Sequence, residues 1–77
     1  MEKALLKQLR DRFGVKARHA VLLPGGVARV GMLHFRLDDV GVLRVWAGPH
    51  EGWVTARNLA QLSDVLVGAT SLTPPER

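Results

Sequence analysis

The spacing of apolar residues is helical at the start of the chain. Leucine and phenylalanine recur there at short helical intervals, with charged residues around the rest of the helical wheel: Leu5, Leu6, Leu9 and Phe13. This pattern predicts an amphipathic helix that buries its apolar stripe against a core. Gly14 directly follows the last apolar residue, at the position where a glycine with positive φ commonly ends a helix.

Three extended segments are predicted after this helix, at residues 15–23, 27–37 and 42–47. They are rich in Val, Leu and Phe, which alternate with polar residues in the second and third segments. Residues 24–26 are Pro-Gly-Gly and residues 38–41 are Asp-Asp-Val-Gly, and both are compositions typical of tight turns. Short turns join neighbouring strands in antiparallel pairs, so the pattern predicts a meander.

The last part of the chain predicts a second helix. Residues 53–54 are a candidate fourth strand, Thr55 is the predicted N-cap, and Asn58 stands where a capping-box partner would be. Apolar residues then line one side of the predicted helix: Leu59, Leu62, Val65 and Leu66. Gly68 is predicted to end it, and residues 70–77, which contain two prolines, are predicted to form a flexible tail.

Together these elements predict an α+β fold in the order α-β-β-β-α. Three antiparallel strands, or four with residues 53–54, form a meander sheet, and both helices lie on one face in a two-layer arrangement. A chain of 77 residues has material for one core only. Residues 1–69 are therefore predicted to form a single small domain.

Strand parity predicts which side chains face away from the helices, because side chains alternate across a strand. One set is apolar and is predicted to pack under the helices: Val21, Leu23, Leu33, Phe35, Leu37, Leu43 and Val45. The opposite set is predicted to form an open basic side of the sheet: Arg18, His34, Arg36, Arg44 and Trp46. A bulge at Gly31 would move Arg29 from one face to the other.

The distribution of charge makes this basic side a candidate binding surface. Residues 1–36 carry a net charge of +6 and residues 37–77 a net charge of −2, within a total of +4. Single-stranded nucleic acids are bound by surfaces of this kind, where cations meet phosphates and bases stack on an aromatic ring. The leading hypothesis is a small non-catalytic nucleic-acid-binding domain, with a single strand as its partner.

Two alternatives stay open for the same side of the sheet. Arginine that alternates with apolar residues also keeps the outer face of a one-sided sheet wet, without any ligand. A homo-oligomeric protein-protein interaction module of a bacterial or phage type would instead bury apolar residues between its subunits: Val30, Met32, Val42 and Trp46. A small core and open sheet edges favour oligomers, so a homodimer or larger homo-oligomer is expected in either case.

No arrangement suited to catalysis or metal binding is visible. The chain has no cysteine, and its histidines, His19, His34 and His50, are far apart in sequence and lack metal-ligand spacing. Asp38 and Asp39 are better explained as turn residues than as an acid pair. We therefore expect no enzyme activity and no cofactor. No apolar run approaches the ~20 residues of a membrane span, and no signal-peptide core is present, which predicts a cytoplasmic protein without a membrane partner.

In length and in its predicted order of elements, the chain resembles double-stranded-RNA-binding domains. Residues 55–58 carry one cation where those domains place a lysine cluster. Residues 27–66, with Gly-Trp-Val-Thr at 52–55 ahead of a helix, are similar to the single-stranded-DNA-binding transcriptional coactivators. The chain differs from that family by an additional amino-terminal helix and by the lack of an aromatic residue in its last helix. Both resemblances concern the order of elements, and no site residue is carried over.

Overall fold

The structure, a computed structural model, describes residues 2–58 and 60–63. Its elements in chain order are helix α1 (Glu2–Phe13), a 3₁₀ turn (Ala17–His19), β1 (Val21–Leu23), β2 (Val27–Val30), β3 (Leu33–Leu37), β4 (Leu43–Trp46) and β5 (Trp53–Thr55). Residues 60–63 are helical. The strands form one antiparallel sheet in the order β1-β2-β3-β4-β5. Mixed α+β structure is thus confirmed, whereas the predicted number and order of strands are wrong in detail.

Helix α1 agrees with the sequence pattern. Leu5 and Leu9 are fully buried, whereas the charged residues from Lys3 to Arg12 are exposed. Gly14 has a φ of +68° and donates its N–H to the carbonyl oxygen of Arg10 at 2.9 Å, which is the left-handed glycine cap that was predicted. Within the described residues, no helix has the length and apolar character needed to cross a bilayer.

The predicted second strand, residues 27–37, is two strands with a hairpin turn between them. Val30 pairs with Leu33, so only Gly31 and Met32 form the loop. Gly31 has a φ of +61° and Met32 does not have a positive φ, an arrangement that suits a type II′ turn with glycine in the first position. The apolar alternation continues through this turn, which is why the pattern suggested a single long strand or a bulge. The sheet consequently has five strands.

The short β2 also limits the strand before it. Only three residues of β1 pair with β2, from Val21 opposite Arg29 to Leu23 opposite Val27. The rest of the predicted first strand, residues 15–20, has no described neighbour in the ladder, and part of it winds into the 3₁₀ turn. The order of elements therefore departs from the three-strand order on which the resemblance to double-stranded-RNA-binding domains depended.

Asn58, rather than Thr55, caps the amino-terminal end of the helical residues 60–63. The Asn58 side chain accepts the Gln61 N–H at 2.8 Å, and the Gln61 side chain reaches back to accept the Arg57 N–H at 2.7 Å. This exchange is close to a capping box. Thr55 is the last residue of β5, because its pairing with β4 extends that far. Further predictions fall outside the described residues: Leu59, Val65, Leu66, Gly68, the domain boundary at 69 and the tail at 70–77.

The core lies between α1 and one face of the sheet. Its buried members come from the helix, the three central strands and the last described residues: Leu5, Leu9, Ala28, Leu33, Phe35, Leu43, Val45, Ala56 and Leu62. The rings of Phe13 and Phe35 are tilted against each other at 5.9 Å. Phe35, Leu43 and Val45 were predicted for this face, and Leu62 packs in the same cluster.

Three apolar residues lie on the face opposite to the predicted one. Val21 is the cross-strand partner of Arg29, and Leu23 is the partner of Val27, which pairs with Arg36, so both lie on the side away from the core. Val30 is the partner of Leu33 and packs against the core, instead of joining the open side as the oligomer hypothesis required. These differences follow from the turn at Gly31, because a strand that reverses there presents opposite parity on its two arms.

Candidate nucleic-acid interface

Two rows of side chains cross the sheet on the side away from α1. Cross-strand pairs place Val21, Arg29 and His34 in one row. The other row contains Leu23, Val27, Arg36, Arg44 and Thr55, and the Trp46–Trp53 pair lies beside Arg44 and Thr55, two residues along β4 and β5. We call the polar and aromatic members of these rows the basic face: Arg29, His34, Arg36, Arg44, Trp46, Trp53 and Thr55.

Four of the five predicted site residues lie on the basic face: His34, Arg36, Arg44 and Trp46. Arg18 does not. It is an exposed residue of the 3₁₀ turn, and its Nε lies 3.4 Å from the Nε2 of His19. The assignment of Arg18 to the sheet depended on a long first strand, which the short β2 does not permit.

His34 and Trp46 belong to the basic face but are not displayed on it. Their exposed fractions are only 7% and 8%. The Trp46 ring packs edge-on against Trp53 with centroids 5.5 Å apart and planes at 66°, a favoured aromatic geometry. The Trp46 Nε1–H is buried without an acceptor in the part of the chain that the structure describes. Packing rather than hydrogen bonding therefore holds this indole, and Trp53 is the ring with solvent access.

Arg44 is held by other side chains of the protein. Its Nε and Nη2 donate to one carboxylate oxygen of Asp38 at 3.1 and 3.0 Å, and its Nη1 donates to the Thr55 hydroxyl oxygen at 2.9 Å. Only about a third of the Arg44 side chain is exposed. Most of its hydrogen-bonding capacity is therefore used within the fold, contrary to the expectation that it is displayed for a ligand.

Asp38 is the acceptor that organises this corner. Its second carboxylate oxygen accepts the backbone N–H groups of Val40 and Val42 at 3.0 and 2.9 Å. The hydrogen bond from Val42, with smaller contributions from Arg44 and Val40, keeps the pKa of Asp38 below its ordinary value of 3.8 despite some desolvation. The predicted turn chemistry of Asp38 is confirmed, and its role extends to Arg44.

Arg36 has a different environment, although it is the direct cross-strand partner of Arg44. Its side chain is exposed, and its Cζ lies over the Trp53 ring, 4.9 Å from the centroid. Among the described residues, no carboxylate is within ion-pair distance of it. A guanidinium over an indole is a favourable cation–π contact. Arg36 thus has an aromatic support and no anionic partner in the described chain.

Arg29 is a second exposed cation of the basic face, and the sequence left its face undecided. The turn at Gly31 places it opposite His34, on the same side as Arg36. The one hydrogen bond of its side chain within the described residues is a long contact from Nη1 to the Gly31 carbonyl oxygen at 3.3 Å. The Gly-X pair at residues 31–32, between two apolar arms, is the sequence signal of this hairpin that was not used.

Trp53 and Thr55 were missed as members of the basic face. They flank Val54, which packs against the core, so the alternation Trp-Val-Thr already carried the parity of a one-sided strand. The segment is only three residues long, and this parity becomes meaningful only once β5 is known to pair with β4. The aromatic partner of Arg36 is therefore a product of tertiary pairing.

An open cleft of about 370 Å³ lies next to the helical residues. It is lined by Val54, Thr55, Arg57, Asn58 and Gln61. The Gln61 amide is already bonded to the Thr55 carbonyl oxygen and the Arg57 N–H, both at 2.7 Å. No cluster of three or more potential metal-ligating side chains occurs within residues 2–58 and 60–63. The basic face is therefore the stronger candidate site.

No match to this chain was found among protein-family models, curated proteins or solved structures. The chemistry and geometry of the basic face are therefore the basis for assigning a function.

Proposed function

We propose that this protein is a non-catalytic module that binds single-stranded nucleic acid across the basic face. The observation that carries the proposal is the pair of exposed guanidinium groups, Arg29 and Arg36, which have no carboxylate partner in the described chain and lie on one face with the Trp53 indole. Phosphates and bases require these two kinds of partner. The proposed location is the cytoplasm, because the chain has no cysteine and proteins of that reducing compartment rarely contain disulfides.

The electrostatic part of binding is assigned to Arg29 and Arg36, which have no carboxylate partner among the described residues. A guanidinium presents several N–H donors in a planar fork that matches phosphate oxygens. Most of these donors remain available in Arg29 and Arg36, whereas Arg44 donates three hydrogen bonds to Asp38 and Thr55. Arg44 is therefore proposed to shape the surface, and Arg29 and Arg36 to contact the ligand.

The cationic surface extends beyond the sheet towards the 3₁₀ turn. That turn leads into β1, whose first residue, Val21, is paired with Arg29. Lys16 and Arg18 are exposed there and lack carboxylate partners among the described residues. Arg18 thus remains in the proposed binding surface as a flanking cation, in a different place from the one predicted.

The test is the salt dependence of binding to a labelled single-stranded oligonucleotide, measured by fluorescence anisotropy. We expect affinity to fall linearly with salt on logarithmic axes, with each phosphate contact contributing a slope of about −0.7. Arg29→Ala and Arg36→Ala should each weaken binding and flatten the slope. Arg12→Ala is the matched control, because Arg12 is an exposed arginine on α1, which packs on the opposite face of the sheet. Absence of binding at low salt would contradict the proposal.

A homo-oligomeric interaction module is the second candidate, and the edge strand β1 favours it. Val21 and Leu22 are 46% and 40% exposed on the two faces of this edge, and Met32 in the neighbouring turn is 68% exposed. Open edges with apolar side chains are prone to pair with another chain. Trp46 is no longer part of this hypothesis, since its ring is buried within one chain.

Light scattering over a range of protein concentrations tests the second candidate. If β1 mediates assembly, the mass should rise with concentration, and Leu22→Lys should restore a monomer. A wild-type protein that stays monomeric at high micromolar concentration would rule the candidate out. Val40→Lys is the control, because Val40 is 83% exposed in the turn between β3 and β4, away from β1.

A further inference from the structure

Trp46, Trp53 and Arg36 form a layered arrangement at the β5 side of the basic face. Trp46 packs edge-on against Trp53, and the Cζ of Arg36 lies over the Trp53 ring at 4.9 Å from its centroid. Trp46 is buried, Trp53 is half-buried and Arg36 is exposed, so accessibility increases along the series. The layer in contact with solvent is therefore a guanidinium group that has an indole beneath it.

The residues around Arg36 favour the position of its guanidinium group over the Trp53 ring. Arg44 lies directly opposite Arg36 on β4, and like charges in that relation repel each other. Arg44 is neutralised by Asp38, while Arg36 is stabilised by the electron-rich face of Trp53. No hydrogen-bond acceptor in the described chain engages the Arg36 guanidinium. Within residues 2–58 and 60–63, the side of this group turned away from the indole therefore has no hydrogen-bonding or ionic partner that would compete with a planar ligand.

We propose that Arg36 contacts a base rather than serving only as a phosphate contact. An unpaired nucleobase stacks on the outward side of its guanidinium group and adds one layer to the Trp46–Trp53–Arg36 series, while Arg29 takes a neighbouring phosphate. This inference rests on the proposed function and narrows its ligand. In a duplex both sides of each base are already covered, so the ligand class is nucleic acid with splayed, unstacked bases.

The inference separates the shape of the Arg36 side chain from its charge. Lysine carries the same charge as arginine but has a compact ammonium group that cannot present a planar surface to a base. Arg36→Lys should therefore keep the phosphate attraction and lose the stacking contact. Arg29→Lys is the matched control, because a phosphate contact at Arg29 depends mainly on charge.

The experiment compares three probes of equal length: a single-stranded oligonucleotide, its abasic counterpart with the same number of phosphates, and the corresponding duplex. We expect the wild-type protein to prefer the single strand over the abasic strand by about five- to 150-fold, the range expected of one stacked base. Arg36→Lys should lose most of this preference with an unchanged salt slope, and Arg29→Lys should retain it. Tryptophan fluorescence should change with the single strand and much less with the abasic strand.

The outcomes distinguish the inference from the proposed function. If the wild-type protein binds none of the three probes, the proposed function is wrong. If it binds the abasic strand as tightly as the normal one, binding depends on charge alone. If Arg36→Lys retains the full preference, the bases are recognised by another group. Either result overturns the stacking inference. The comparison of probes on wild-type protein needs no variant, so it decides the question even if a substitution perturbs the fold.

Discussion

Both halves of the basic face contain arginine, but the arginine of one half is bonded within the fold and those of the other half are exposed. Arg44, at the centre of the β4–β5 half, bonds to Asp38 and Thr55 and is mostly covered. Arg29 and Arg36, on β2 and β3, are exposed and have no carboxylate partner among the described residues. A count of cations on a strand treats all three arginines alike. Only their partners distinguish an arginine that holds the fold together from one that is available to a ligand.

This difference also explains how the sheet tolerates cations in directly opposed positions. Arg36 and Arg44 are paired across β3 and β4, where two like charges are normally destabilising. One of them has a carboxylate beside it and the other has an indole beneath it. Two separate interactions therefore compensate the repulsion between the arginines, and the Arg36 side chain stays exposed.

The largest expected effect contrasts the two faces of a single strand. Phe35→Ala should lower the free energy of unfolding by about 3–5 kcal/mol, because Phe35 is fully buried in the core and contacts Phe13. Arg36→Ala, the next residue, should change it by no more than about 0.5 kcal/mol, because its side chain points to the exposed face. Urea unfolding of the two variants measures the contrast. Equal losses would mean that the faces of β3 are assigned wrongly.

The next effect is acid sensitivity of the Asp38 corner. The pKa of Asp38 is lowered in the folded state, chiefly by the Val42 N–H, so the folded state favours the ionised form. The stability from this group is fully present above its ordinary pKa of 3.8 and is lost as the pH falls through the lowered value. Urea midpoints at neutral pH and well below pH 3.8 should differ in the wild type, and Asp38→Asn should reduce the difference.

Asp11→Asn is the control for the acid sensitivity. The pKa of Asp11 is also lowered, mainly by its hydrogen bond from Lys7, but this pair lies on the exposed side of α1. Replacing Asp11 should therefore remove a smaller part of the acid sensitivity than replacing Asp38 does. A larger effect from Asp11 would show that the network around Asp38 does not organise the β3–β4 turn.

The smallest expected effect compares the two opposed arginines directly. Arg44→Ala should destabilise the fold by about 1 kcal/mol, since it removes hydrogen bonds to Asp38 and Thr55. That loss should exceed the one from Arg36→Ala. In binding assays the order should reverse, with Arg36→Ala the more damaging. Parallel urea titrations and anisotropy measurements on the two variants test this reversal. The same order in both assays would contradict the assignment of Arg44 to the stability of the fold and of Arg36 to ligand binding.

Local signals predicted most of the individual elements. The apolar stripe of α1 with Gly14 after it, the Pro-Gly-Gly turn and the Asp38 turn are all encoded within a few residues, and the structure contains each of them. Prediction failed where a local pattern had two solutions. The alternation from Val27 to Leu37 fits one long strand as well as two strands around Gly31, and the choice depends on which partners the strands find.

The candidate site was predicted in part, for the same reason. Arg36 and Arg44 were placed correctly, because each lies beyond the Gly31 turn, within one arm of regular alternation. Arg18 was misplaced and Arg29 was left undecided, because both depend on the Gly31 turn. Trp53 was overlooked because its strand is three residues long and has little alternation to detect.

Local sequence patterns were sufficient for the α+β character, the amphipathic helix, the main turns and the separation of cationic from aliphatic positions in β3 and β4. These features depend on interactions within a few residues, or on the alternation of side chains along one strand. The tertiary structure decided the number of strands, the side on which Arg29 lies, the burial of Trp46 and the contact between Arg36 and Trp53. Those features depend on which segments pair across the sheet, and pairing is selected by the burial of the whole core rather than by any segment alone.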